Sequence, residues 1–116
     1  MRPARQIVPG GIYDIYFQYE NPQQGGSYRP VLILGFKSNH ALAIGLKVTR
    51  SGRTPHFPYR IPIIYWRHAG LRSPSWVQYD WYNEIPATTR FRKFYGIMHP
   101  YDFQRVLSAF RSYHGI

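Results

Sequence analysis

The chain has no cysteine, few carboxylates and no long apolar run. Without cysteine it has no disulfide framework, no thiol nucleophile and no Cys-ligated zinc. The five acids, Asp14, Glu20, Asp80, Glu84 and Asp102, are too few and too dispersed for a two-metal nuclease or a paired-carboxylate glycosidase. The five histidines (His40, His56, His68, His99 and His114) lack the close pairing of a zinc site, so no metal is expected. Walker, GxGxxG, HExxH and GxSxG signatures are missing as well, and no cofactor is expected. No segment approaches the ~20 apolar residues of a membrane span, and Met1 to Gln6 leads into no signal-like apolar stretch. A soluble, cytoplasmic chain with no membrane partner is the expectation.

What the chain does have is cationic and aromatic. Fifteen Lys and Arg give 116 residues a formal charge of +10, alongside eleven Tyr, seven Phe and three Trp. Most of the cations are Arg, whose planar fork pairs with phosphate and stacks on bases. Cations interleaved with flat rings suit single-stranded nucleic acid, although an acidic protein partner satisfies the same arithmetic.

Ten Gly and ten Pro divide the chain into short elements. After a basic tail over 1–8, one domain is expected over 9–116. Ile12 to Tyr19 reads as a strand with Tyr13, Ile15, Phe17 and Tyr19 on one face. Glu20 to Tyr28 reads as a polar loop, and Pro30 to Phe36 as a strand buried on both faces. From Ala41 to Thr49 the chain alternates. Leu42, Ile44, Leu46 and Val48 form an apolar face, and Ala41, Ala43, Gly45, Lys47 and Thr49 a small, polar face expected to front a groove. Tyr59 to Trp66 reads as a strand whose Pro62 lacks a ladder donor, which places it at an edge or a bulge. Ser75 to Tyr82 and Phe94 to Ile97 complete the strands. Phe103, Val106, Leu107 and Phe110 then follow the i, i+3, i+4, i+7 rule of a helix beginning at Pro100 and ending near Gly115. The fold class is mainly β: a small, strongly bent barrel closed by one helix.

A phosphodiesterase with these residues works through cations and hydroxyls, and RNA permits that because its own 2′-OH is a nucleophile. Arg29 opens the apolar strand and Thr49 closes its neighbour. If those strands pair as a hairpin, the two side chains meet.

Gly11-Ile12-Tyr13, then Tyr28-Arg29-Pro30-Val31-Leu32-Ile33-Leu34, resembles the start of the MazF/PemK toxin family, PemK-like branch. Lys47-Val48-Thr49-Arg50 is similar to its second motif. The run from Trp66-Arg67-His68-Ala69-Gly70-Leu71 through Ser75-Trp76-Val77 is similar to a third. The resemblance implies an SH3-like barrel of five to seven strands with a C-terminal helix, usually homodimeric. It also implies a ribosome-independent, metal-free endoribonuclease that leaves 2′,3′-cyclic phosphate and 5′-OH ends on single-stranded RNA (mRNA). The partner is a cognate acidic antitoxin. By motif, Arg29 and Thr49 are the catalytic pair, Arg29 stabilising charge and Thr49 orienting phosphate or 2′-OH. Where the family commonly carries Glu, this chain has Ser27, which leaves Glu20 or His56 as substitute acid or base. Tyr28, Ser27, Lys47, Arg50 and Arg53 are candidate RNA contacts, and the Arg90–Lys93 cluster faces RNA or antitoxin. Two alternatives stay open: a catalytically silent binding module, and a toxin acting on a protein such as gyrase.

Overall fold

The computed structural model describes residues 6–116; residues 1–5 of the expected basic tail lie outside the described residues. Six antiparallel strands form one sheet: β1 (Gly11–Gln18), β2 (Gly26–Lys37), β3 (Leu42–Thr49), β4 (Arg60–Pro62), β5 (Trp76–Pro86) and β6 (Phe94–Ile97). Their order is β4-β5-β3-β2-β1-β6, and a single helix, α1 (Pro100–His114), follows. The expected mainly β architecture with one terminal helix is the one observed.

The sheet buries both faces of its central strands, as the unbroken apolar run in β2 requires. Leu32 and Leu34 join one core cluster with Leu46, Val77, Val106 and Phe110. Val31 and Ile33 point into a second, with Ile7, Tyr13, Ile15 and Phe17. Ile7 belongs to the stretch expected as tail, yet it is buried, and the Val8 N–H donates to the Tyr13 hydroxyl at 2.9 Å.

Helix α1 runs as its spacing predicts. Val106 and Phe110 are buried, each worth about 1.5–3 kcal/mol of transfer free energy. The His99 ring caps the start by accepting from the Tyr101 N–H, and Gly115 closes the end in the left-handed region at φ 71°.

Three expectations are corrected. Strand β2 begins at Gly26, not Pro30, because Gln18 to Tyr16 pair with Gly26 to Tyr28; a short 3-10 turn at Pro22–Gln24 then makes the connection. The small face of β3 does not front a groove along its length. Ala43 is fully buried, and a Cβ on Gly45 would stand 2.4 Å from Ile85 Cδ1 and 2.8 Å from Val31 Cγ1. The small residues there admit large neighbours from the flanking strands, and only Lys47 and Thr49 reach open space.

The strand expected over Tyr59 to Trp66 shrinks to Arg60–Pro62, at the sheet edge. Beyond Pro62 a different acceptor takes the backbone. The carboxylate of Asp102, fully buried at the start of α1, accepts from the N–H groups of Ile64 at 2.9 Å and Tyr65 at 2.8 Å. The chain therefore turns through 64–70 and packs on β6. Gly70 permits that approach: its φ is +80°, and a Cβ there would lie 1.9 Å from the Tyr95 carbonyl oxygen.

Candidate active site

The β2–β3 ladder ends at Val31↔Lys47, and the next residue, Pro30, has no N–H to extend it. Continuing the register by two residues sets Arg29 opposite Thr49. The guanidinium reaches the neighbouring strand, Nη2 donating to the Val48 carbonyl at 3.0 Å. Its Nε is buried and has no partner among the described residues. Thr49 is 8% exposed, and its Oγ1 accepts from the Ser51 N–H at 3.1 Å.

Arg29 and Thr49 line one cleft of about 550 Å³, and Arg50, Arg72, Arg92 and Lys93 bring its cations to five among the described residues. Its single carboxylate, Asp14, accepts from Arg92 Nε at 2.9 Å, while the same guanidinium lies 4.3 Å from the Tyr28 ring centroid. Such a surface attracts phosphate and offers an exposed tyrosine beside it. Of the other candidates, Ser27, Tyr28 and Arg50 line this cleft. Arg53 is exposed and lies outside it.

Glu20, Lys47 and His56 line a second cleft of about 330 Å³, with Phe57, Asp80 and Trp81. The two clefts share a wall: Tyr19, which lines the second, hydrogen-bonds through its hydroxyl to Ser27 Oγ of the first at 2.5 Å. That bond, with Arg29 near by, holds the Tyr19 pKa below the ordinary phenol value. Lys47 is shifted further. Burial first, then the charges of Arg29 and Arg60, lower its pKa to about 8 against the pull of Asp80.

Arg60 was not singled out from the sequence. It is 5% exposed, its Nε donates to Gln78 Oε1 at 3.0 Å, and Nη1 reaches the carbonyls of Ser51 and Gly52, both at 3.3 Å. It thereby ties the loop after Thr49 to β5, and burial lowers its pKa. No local pattern marks it, because its partners are set by strand pairing. Arg72 also enters the first cleft unannounced, although the motif around Ala69-Gly70-Leu71 contains it. Trp66 and Trp81 are partly buried against the first and second core clusters respectively.

A solved structure described as an endoribonuclease from a mycobacterial species superposes on this chain with a TM-score of 0.66. It is 15% identical, and the match covers 97% of this chain and 94% of that one. Among curated protein sequences, nothing matches. The family model for the PemK-like, MazF-like toxin of type II toxin–antitoxin systems matches residues 9–114. The chain therefore belongs to the PemK/MazF-like toxins of type II toxin–antitoxin systems, a family of endoribonucleases.

Proposed function

We propose that this protein cleaves single-stranded RNA independently of the ribosome, using the substrate's own 2′-hydroxyl as nucleophile, and that Arg29 and Thr49 carry the reaction. The observation behind this reading is that both side chains line one cleft with four further cations among the described residues. A phosphodiester in the cleft is held by Arg50, Arg72 and Lys93 while Arg29 faces its non-bridging oxygens. Attack of the 2′-oxygen on phosphorus forms a pentacoordinate phosphorane with an added charge. The Arg29 guanidinium, which lines the cleft, brings its positive charge to meet it. A guanidinium yields its proton reluctantly, so the role of Arg29 is electrostatic. The Thr49 hydroxyl, oriented by the Ser51 N–H, donates to a phosphate oxygen or aligns the 2′-OH. Breaking the P–O5′ bond leaves a 2′,3′-cyclic phosphate and a 5′-OH.

An acidic antitoxin segment placed in the same cleft competes with RNA for the same cations. A homodimer, in which a groove runs over both subunits, is part of this proposal. No step calls for a metal ion, and cleavage is expected to continue in a chelator.

The test is to incubate the purified chain with a single-stranded RNA in EDTA and map the ends. Cyclic phosphate and 5′-OH termini, lost in Arg29→Ala, support the reading; ends unchanged in both Arg29→Ala and Thr49→Ala refute the site. One observation favours a second reading, binding without cleavage: where the family commonly has Glu stands Ser27, with its hydroxyl engaged by Tyr19. Salt-sensitive RNA binding without product identifies that case.

A further inference from the structure

We propose that the second cleft is a nucleobase pocket that selects guanine beside the cleaved phosphate, with Asp80 and Lys47 reading its Watson–Crick edge. This deepens the endoribonuclease reading above and rests on it for the position of the phosphate.

An irregularity in the sheet builds the pocket. Leu46 pairs with Tyr82 and the next residue, Lys47, with Gln78, so Tyr79, Asp80 and Trp81 bulge out of the β3–β5 ladder. A bulge re-aims side chains, and this one delivers Asp80 and Trp81 to the cleft that Lys47 lines. Two of its rings are held in place. Trp81 Nε1 donates to the Gln18 carbonyl at 3.0 Å, and the Tyr19 hydroxyl bonds to Ser27. A third ring, Phe57, has the Arg60 guanidinium 4.0 Å from its centroid. Every base stacks on such rings, so selection falls to the polar groups.

Two opposite charges line this cleft without meeting. Asp80 attracts Lys47, yet neither makes an ion pair among the described residues. Asp80 Oδ1 is buried and has no partner among them. The last torsion of Asp is soft, so the carboxylate can turn toward a base edge. Guanine fits both groups: its N1–H and N2 amine donate side by side to a carboxylate, and the adjacent O6 accepts from an ammonium. Adenine and cytosine offer the carboxylate only their exocyclic amine, and uracil only N3–H. Glu20 and His56 line the same cleft but are exposed, which leaves the reading to the half-buried pair.

The base belongs to the nucleotide at the cut. Lys47 and Thr49 stand two residues apart on one face of β3, about 7 Å, which is the scale of the step from a phosphate to its own base. The Tyr19–Ser27 contact is the wall that this nucleotide crosses between the clefts.

The test begins by sequencing the ends made from a randomised single-stranded RNA. Cleavage and binding are then measured on one oligonucleotide carrying guanine, inosine or another base at the selected position. Wild type is expected to cut beside a guanine and to disfavour other bases by about 10- to 100-fold. Inosine, which lacks only the N2 amine, is expected to react about tenfold less well. Asp80→Asn keeps the shape and loses one acceptor, so the guanine-to-inosine ratio is expected to fall toward one, with thermal unfolding measured in parallel. Lys47→Met, without the O6 donor, is expected to narrow the guanine preference likewise. Cutting with no guanine at a fixed position, or an inosine penalty unchanged in Asp80→Asn, overturns the pocket and leaves the endoribonuclease reading intact. Guanine-selective binding without any cut overturns the nuclease reading alone. A chain that makes no cut and shows no base-selective binding overturns both.

Discussion

Arg29 crosses from β2 to the carbonyl of Val48, so the backbone immediately before Thr49 fixes one edge of its guanidinium, while Nε is buried with no partner among the described residues. That bond positions the group while its charge lines the cleft. A lysine ammonium lacks the planar, pre-organised fork that holds this position and spreads its charge toward phosphate oxygens. Arg29→Lys is therefore expected to retain RNA binding within severalfold yet lose about 10²–10³ in kcat, the loss found when one oxyanion donor is removed. Single-turnover cleavage with parallel binding measurements checks this. A Lys variant with wild-type kcat would show that charge alone suffices.

The Thr49 prediction separates structure from chemistry. Its hydroxyl accepts from the Ser51 N–H, so Thr49→Val keeps the shape and removes the oxygen. An unpaired N–H and a lost bond cost about 1–3 kcal/mol in unfolding free energy. Thr49→Ser keeps the oxygen and is expected to preserve most cleavage, whereas Thr49→Val loses it at a temperature where both remain folded. Equal activities would remove the hydroxyl from the mechanism.

Much of this arrangement is legible in the chain itself because it depends on local periodicity. The apolar run after Arg29 and the alternation ending at Thr49 bring both residues to the end of the β2–β3 ladder, although β2 itself runs back to Gly26. The helix follows from Phe103, Val106, Leu107 and Phe110. What escapes is non-local. Nothing near Asp102 tells that it will hold the backbone of residues 38 and 37 positions earlier, which is why Tyr59 to Trp66 reads as a strand yet keeps only Arg60–Pro62 as one before it turns. Likewise the small size of Ala43 and Gly45 suggests an open face, whereas Ile85 and Val31 arrive from other strands to fill it. Glu20 and His56 read as neighbours of Arg29, but the Tyr19–Ser27 contact divides them into a separate cleft.

Arg72 supplies a test of the electrostatic surface. It lines the first cleft without any ion pair among the described residues. For single strands, log K falls against log salt with a slope of about −0.7 for each phosphate neutralised. Arg72→Ala is expected to weaken binding similarly for RNAs of different sequence and to make the slope shallower by about 0.7. A variant that changes sequence preference at constant slope would place Arg72 against a base instead.

Lys47 also leaves a mark on stability that needs no RNA. Its pKa is about 8 when folded and 10.5 as a free side chain, so between those values the unfolded chain binds more protons. Stability then rises with pH through that window, and the contribution is lost as pH falls through about 8. The difference in unfolding free energy between wild type and Lys47→Met is expected to shift in favour of wild type as pH rises from about 8 to 10.5. A difference that stays flat would mean the amine is not desolvated by its surroundings.

Asp102 carries the largest stability prediction, because three separate donors converge on one fully buried carboxylate. Two are the backbone N–H groups of Ile64 and Tyr65, and the third is Arg105 Nη1 at 3.0 Å. Breaking a buried pair by removing one partner strands the rest, at a cost of about 3–5 kcal/mol. Asp102→Ala is expected to lose stability on that scale in urea unfolding. Asp102→Asn is expected to lose less, since its amide oxygen still accepts from one N–H while its NH₂ faces a second donor. Because the turn at 64–70 packs on β6 rather than on Arg29 and Thr49, the residual folded Asn variant should cleave RNA at close to the wild-type rate. A stable Ala variant would show that the segment after Pro62 holds its turn by packing alone.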